Sequence, residues 1–106
     1  MDTRQALDDY ESLAQLASQM RKASHLKEWD RLIALEPQYS QRISGIADVD
    51  EMPDEEARLR MVELLKKIIA DDAEIRRNTE TWMNQLKSAM QTNLMAQRLN
   101  KTYGGM

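Results

Sequence analysis

The sequence predicts an all-α fold: an antiparallel helical bundle of three main helices, the third of them long, with a short C-terminal helical segment. Three observations carry this reading. Hydrophobic residues make up 42% of the 106 residues but aromatics only 5%, with no Phe, so the apolar share rests on Leu, Ile, Ala and Met, which favour helices. Three Gly and two Pro, with two of the Gly among the last three residues, leave few sites for tight turns. Apolar residues recur at alternating steps of three and four, the period of one face of a helix. The length suits a single domain, residues 1–106, with a core of modest size.

The first helix is expected over about Thr3 to Ala23, where Ala6, Tyr10, Leu13, Ala17 and Met20 share one stripe, flanked by Leu7 and Ala14. Ser24-His25 marks a joint, and Ser24 is a candidate N-cap for the second helix, over about Leu26 to Ser44. Trp29, Leu32, Ile33, Tyr39, Ile43 and Ile46 lie along one side of that helix. Pro37 in its middle removes a backbone donor and crowds the preceding turn, so a kink near Ile33–Glu36 or a division into two pieces is expected. The continuing apolar spacing favours the kink. Gly45 is placed to close the helix in the left-handed conformation, and Ile46–Met52 is the one real loop. Pro53 suits the first turn of the third helix, which is expected to run to about Gln97.

From Pro53 to Tyr103 there is no further Pro or Gly, and a helix of about 45 residues is about 68 Å long at 1.5 Å per residue. Leu65, Ile68, Ile75, Trp82, Leu86, Ala89 and Ala96 take a and d positions of a heptad, interrupted by Asp72, Thr79 and Asn93. Such polar residues either fix register in a bundle or mark where the seam opens to water or a partner. An e row of Val62, Ile69, Met83 and Met90 widens the seam into a broad apolar face. The methionines of this helix either fill gaps in a thin core or line a groove for another helix, where flexible thioethers adapt to varied apolar partners. Trp29 and Trp82 read as core anchors.

Chemistry finds little footing. Net charge is −3 with acids and bases interspersed, which argues against direct nucleic-acid binding. The acidic run Asp48–Glu56 reads as a solvated loop leading into a helix N-terminus, where acids meet the positive end of the dipole. There is no Cys and one His, His25, so no thiolate site and no zinc site are expected. No nucleophile stands beside a base, and no Gly-rich phosphate loop is present. Catalysis in the manner of small helical mutases requires buried Arg and Lys around one pocket. Here the arginines lie off the apolar stripes, save Arg76 at an e position. No enzyme activity, metal or cofactor is expected. No apolar run approaches the roughly 18 residues of a membrane span, and the N-terminus has no apolar signal region, so the expected location is the cytosol.

Glu28-Trp29-Asp30, then Leu32, then Tyr39-Ser40-Gln41-Arg42-Ile43, with Leu99-Asn100 and Tyr103-Gly104 near the end, give the chain a recognisable order. In that order it resembles the bacterial flagellar export chaperones of the FliT family over nearly its whole length. The resemblance implies a chaperone that holds the filament-cap protein FliD in the cytosol and guides it toward the export ATPase FliI and its partner FliJ. It also implies a transcriptional role through the FlhC subunit of the flagellar master regulator, without DNA contact. In the family a C-terminal helix covers the binding surface. Only Leu99–Tyr103 and a Gly-Gly tail stand at that place here, so either weak or absent cover or a shortened form of the chain is expected. The expected client-binding residues are Ile69, Met83, Met90 and Leu94, supported by Val62 and Leu65. The competing reading is a structural coiled-coil protein or a self-associating bundle, such as a homodimer, because an uncovered apolar stripe favours association.

Overall fold

The structure, a computed structural model, describes residues 3–48 and 51–99, with side chains described as far as Thr92. Three helices follow one another: α1 (Thr3–His25), α2 (Trp29–Ser44) and α3 (Glu55–Leu99). α3 is described as far as Leu99, and the expected helical segment beyond it lies outside the described residues. Backbone contacts divide the chain into two units, Met1–Arg76 and Arg77–Met106, so the boundary falls within α3.

In the first unit α1 is the central element. Ala6, Tyr10, Leu13, Ala14 and Ala17 form one buried cluster with Met52, Met61, Leu64 and Ile68. Met20 and Ala23 form a second with Leu32 and Ile75. These clusters set the directions. The start of α1 meets the start of α3, and the end of α1 meets both Ile75 and the start of α2, so α1 and α3 run parallel while α2 returns antiparallel. Ala6, Ala17 and Ala23 have no exposed surface; with one methyl each they let the neighbouring helices approach closely, and Leu13 and Met61 fill the space between them. Burying each such large side chain contributes about 1.5–3 kcal/mol.

The buried row of α3 differs from the expected one. Ala57, Met61, Leu64, Ile68, Asp71 and Ile75 are buried, whereas Leu65 is half-buried and Ile69 exposed. The d positions Ile68 and Ile75 hold as expected, but the companion row is g and not a. At 3.6 residues per turn that is a rotation of about 50°, and it turns the e row toward solvent. The polar residue in the seam is therefore Asp71, while Asp72 is only half-buried and pairs with Arg76 four residues on, at 3.0 Å.

The helix ends also depart from expectation. Ser24 belongs to the last turn of α1, where its hydroxyl donates to the Arg21 carbonyl at 2.8 Å. The α1–α2 joint is closed by two backbone bonds, Lys27 N–H to the Ser24 carbonyl and Glu28 N–H to the Ala23 carbonyl. This is a Schellman motif. Its left-handed position is held by Lys27, with φ 61°, while Gly45 stands at φ −106° and closes α2 without a left-handed turn. α2 therefore begins at Trp29 and not near Leu26, and it is one helix with Pro37 inside it. The N-cap of α3 is Asp54, whose carboxylate accepts from the Glu56 N–H at 3.2 Å. Pro53 precedes the cap instead of entering the first turn.

The connection before Asp54 is part of the core. Ile46 and Ala47 pack against the first cluster, and Met52 belongs to it. The Tyr10 hydroxyl donates to the Ala47 carbonyl at 2.7 Å, tying this segment to α1.

Candidate functional site

α3 changes character at the unit boundary. In the first unit it spends alternate turns on the core, but from Arg77 to Thr92 no residue is buried and only Asn78, Thr79 and Trp82 are half-buried. Thr81 and Thr92 turn their hydroxyls back to the carbonyls of Arg77 and Ser88, satisfying themselves on their own helix. Three large apolar side chains remain open: Met83 at 46%, Leu86 at 40% and Met90 at 63% exposure. Their spacing of i, i+3 and i+7 sets them in one stripe, about 10 Å long at the helical rise. Lys87 lies in the same turns and has no ion pair among the described residues.

The expected client-binding residues fall on both units. In the second, Met83 and Met90 stand open on the stripe, and the Leu94 side chain lies outside the described residues. In the first, Ile69 is 60% exposed, whereas Val62 and Leu65 are half-buried and Leu65 packs against the core. Sequence reasoning placed Leu86 inside the seam. Its spacing of three from Met83 is the signal that assigns it to the open stripe. Trp29 is half-buried against the second cluster.

Charge is organised around α1 and α3 in the first unit. Asp71, with its side chain 10% exposed, accepts from Arg21 Nε at 3.1 Å and from Lys67 Nζ at 3.1 Å. Arg60 reaches Glu63 at 3.2 Å and Glu11 at 3.8 Å, beside an open depression that Gln15 and Lys67 also line. No Lys or Arg is buried among the described residues, and no group of three or more His, Cys, Asp or Glu among them is arranged to hold a metal ion. No helix of the described residues is long and apolar enough to cross a membrane.

Burial pushes the Tyr39 phenol above its ordinary range, helped by Asp72 and Asp71 and opposed by Arg76. Tyr39 packs against both core clusters, so it joins α2 to α1 and α3. The second unit separately carries a solvent-facing apolar stripe of Met83, Leu86 and Met90.

The family model for Flagellar protein FliT matches residues 7–105. The chain belongs to the FliT family. It is 27% identical over 100 residues to the Flagellar protein FliT of Pectobacterium atrosepticum, covering 92% of this chain and 79% of that protein. The same figures hold for the Flagellar protein FliT of Pectobacterium carotovorum subsp. carotovorum. The Flagellar protein FliT of Citrobacter koseri is 26% identical over 102 residues, covering 95% of this chain and 85% of its own length. No solved structure matches the chain. The FliT match takes in both the α1–α2–α3 bundle and the stripe on the second half of α3.

Proposed function

We propose that this FliT-family protein is a flagellar export chaperone whose second unit receives the C-terminal helical segment of the filament-cap protein FliD. The observation that carries the reading is the Met83–Leu86–Met90 stripe, three large apolar side chains open to solvent on one face of a helix in a chain that belongs to a flagellar family. A helix held against such a stripe buries its own apolar face at i, i+3, i+4 and i+7 positions, which keeps the client from assembling early. Met83 and Met90 suit the task because thioethers repack around unlike partners. A few buried aliphatic anchors at about 1.5–3 kcal/mol each, less the cost of association and ordering, reach micromolar affinity.

In this reading the chaperone works in the cytosol and passes its client to the export ATPase FliI with FliJ. Once freed, it binds FlhC and lowers flagellar transcription without touching DNA. Leu94 extends the client contact within the second unit; Ile69, with Val62 and Leu65 in support, is a further candidate contact of the first unit taken by itself.

Calorimetric titration with a FliD C-terminal peptide tests the proposal. Binding in the micromolar range is expected, weakened at least tenfold by Met83→Asp and by Met90→Asp, with the helical circular dichroism of both variants unchanged. Unchanged affinity in folded variants contradicts the assignment of the stripe. Light scattering across concentration separates the competing reading, because a self-associating bundle gains mass with concentration and a client-binding monomer does not.

A further inference from the structure

The bases and acids of the chain are not evenly shared between its two units. Residues 1–76 carry eleven Lys and Arg against seventeen Asp and Glu, net −6, while residues 77–106 carry four against one, net +3. The boundary is the one that backbone contacts draw between the units. In the first unit the cations adjoining the core are matched: Arg21 and Lys67 hold Asp71, Arg60 reaches Glu11 and Glu63, and Arg76 holds Asp72. In the second, Lys87 sits between Met83 and Met90 in sequence and is exposed with them. Arg77 is exposed as well but stands on the far side of the helix from the stripe, and neither cation has an ion pair among the described residues. The single acid of this unit is Glu80.

From this we infer that the stripe selects its occupant by charge as well as by apolar fit: the preferred partner is an amphipathic helical segment with acids flanking its apolar face, and a base-flanked segment of equal hydrophobicity is disfavoured. The inference rests on the stripe being a client seat, as proposed above, and adds the chemical class of client it takes. The apolar side chains hold the helix, and Lys87, about 40° round the helix from Met83, steers it and sets which flank faces it. Exposed ion pairs contribute about 0.2–1 kcal/mol each and like charges cost similar amounts, so exchanging Lys for Glu opposite Lys87 amounts to a preference of about three- to tenfold. They are screened by salt, with a Debye length of about 10 Å at 0.1 M and about 3 Å at 1 M. Charge complementarity of this kind acts chiefly on specificity and on the rate of encounter.

The test uses the full chain and two synthetic 18-residue amphipathic helical peptides that share one apolar face and differ only in carrying Glu or Lys on its flanks. Fluorescence anisotropy at 50 mM and 500 mM salt is expected to show the Glu-flanked peptide binding about three- to tenfold more tightly at low salt, with the ratio collapsing toward one at high salt. Lys87→Glu should reverse or abolish the preference, while Lys66→Glu, at an exposed position of the first unit, should leave it in place. Equal binding of the two peptides, or a preference that K87E does not move, overturns the inference. If the FliD segment still requires Met83 and Met90 under those outcomes, the client seat stands and only the charge selection falls. If neither peptide nor the FliD segment binds, both fall. Binding to phosphatidylglycerol vesicles as tight as to the Glu-flanked peptide also overturns the inference, since the cations would then serve a lipid surface.

Discussion

Arg21 Nε lies 3.1 Å from Asp71 Oδ1, joining the last turns of α1 to the middle of α3. The opposite oxygen of the same carboxylate meets Lys67 Nζ at 3.1 Å. Asp71 is the one acid among the described residues that stands in the buried row of α3, so its pairing sets the register in which Met61, Leu64, Ile68 and Ile75 meet α1. A single-residue slip of α3 against α1 would bury Asp72 in its place and break the Arg21 contact, whereas the Lys67 pair, four residues apart on α3, would persist.

Asp71→Ala should therefore lower stability by about 1–2 kcal/mol, since charged hydrogen bonds of partly exposed groups are lost but Arg21 can still be solvated. Urea unfolding at pH 7 measures this. Asp72→Ala, whose partner Arg76 is 77% exposed, should cost less than about 0.5 kcal/mol. Equal losses for the two would contradict the assigned register.

Tyr10 gives the fold an alkaline limit. Burial, and secondarily the negative charge of Asp48, pushes its phenol above the ordinary value of 10.0. Tyr39 shifts the same way, mainly through burial. Folding thus favours the protonated phenols. Their contribution is complete below pH 10 and is lost as pH rises through the raised folded values. Stability measured by urea unfolding between pH 8 and 11.5 should fall at the alkaline end. Tyr10→Phe should cost about 1 kcal/mol at pH 7 by removing the bond to the Ala47 carbonyl, and its alkaline decline should be shallower than that of the parent. A decline of the same steepness would show that Tyr10 is not among the groups responsible.

Lys27 holds a left-handed backbone position that glycine occupies at less cost. Lys27→Gly should raise stability by about 0.5–1 kcal/mol, the relief of the left-handed conformation exceeding the extra entropy that glycine gives the unfolded chain. Thermal unfolding followed by circular dichroism reads the change as a higher Tm. A lower Tm would mean that the Lys27 side chain stabilises the α1–α2 joint by more than its backbone costs.

Core and stripe should respond oppositely to truncation. Leu13 is 1% exposed at the centre of the first cluster, so Leu13→Ala should cost about 2–5 kcal/mol. Met90→Ala should stay within about 0.5 kcal/mol, as exposed positions do. Denaturant midpoints at equal slope decide this, and a large loss at Met90 would mean that the stripe is spent on folding.

The sequence carried more of the fold than of the site. The stripe of α1 was legible because Ala6, Tyr10, Leu13, Ala17 and Met20 are all apolar and all buried, so periodicity and packing agree. On α3 they part. Leu65 and Leu86 drew the seam toward the a row, while the true companion row contains Ala57 and Asp71, one small and one charged, which periodicity undervalues. Asp71 could be recognised as a core residue only through Arg21, fifty positions away in sequence. The turn at Lys27 was hidden for a similar reason: glycine signals a left-handed closure, and here a lysine takes it, held by two backbone bonds. The segment Ile46–Met52 read as a loop because its acids dominate, yet Ile46, Ala47 and Met52 lie against the core. Met83 and Met90 were legible as an apolar row. That they are open to solvent depends on the unit boundary at Arg76, for which the unbroken helical pattern gives no sign.

Methyl NMR of the eight methionines tests the central claim most directly. With the FliD C-terminal peptide added, the account predicts that the methyl signals of Met83 and Met90 shift and saturate together. Those of Met20, Met52 and Met61, buried in the first unit, should stay in place. Shifts confined to Met20, Met52 and Met61, or a saturated complex in which the Met83 and Met90 signals do not move, would contradict it.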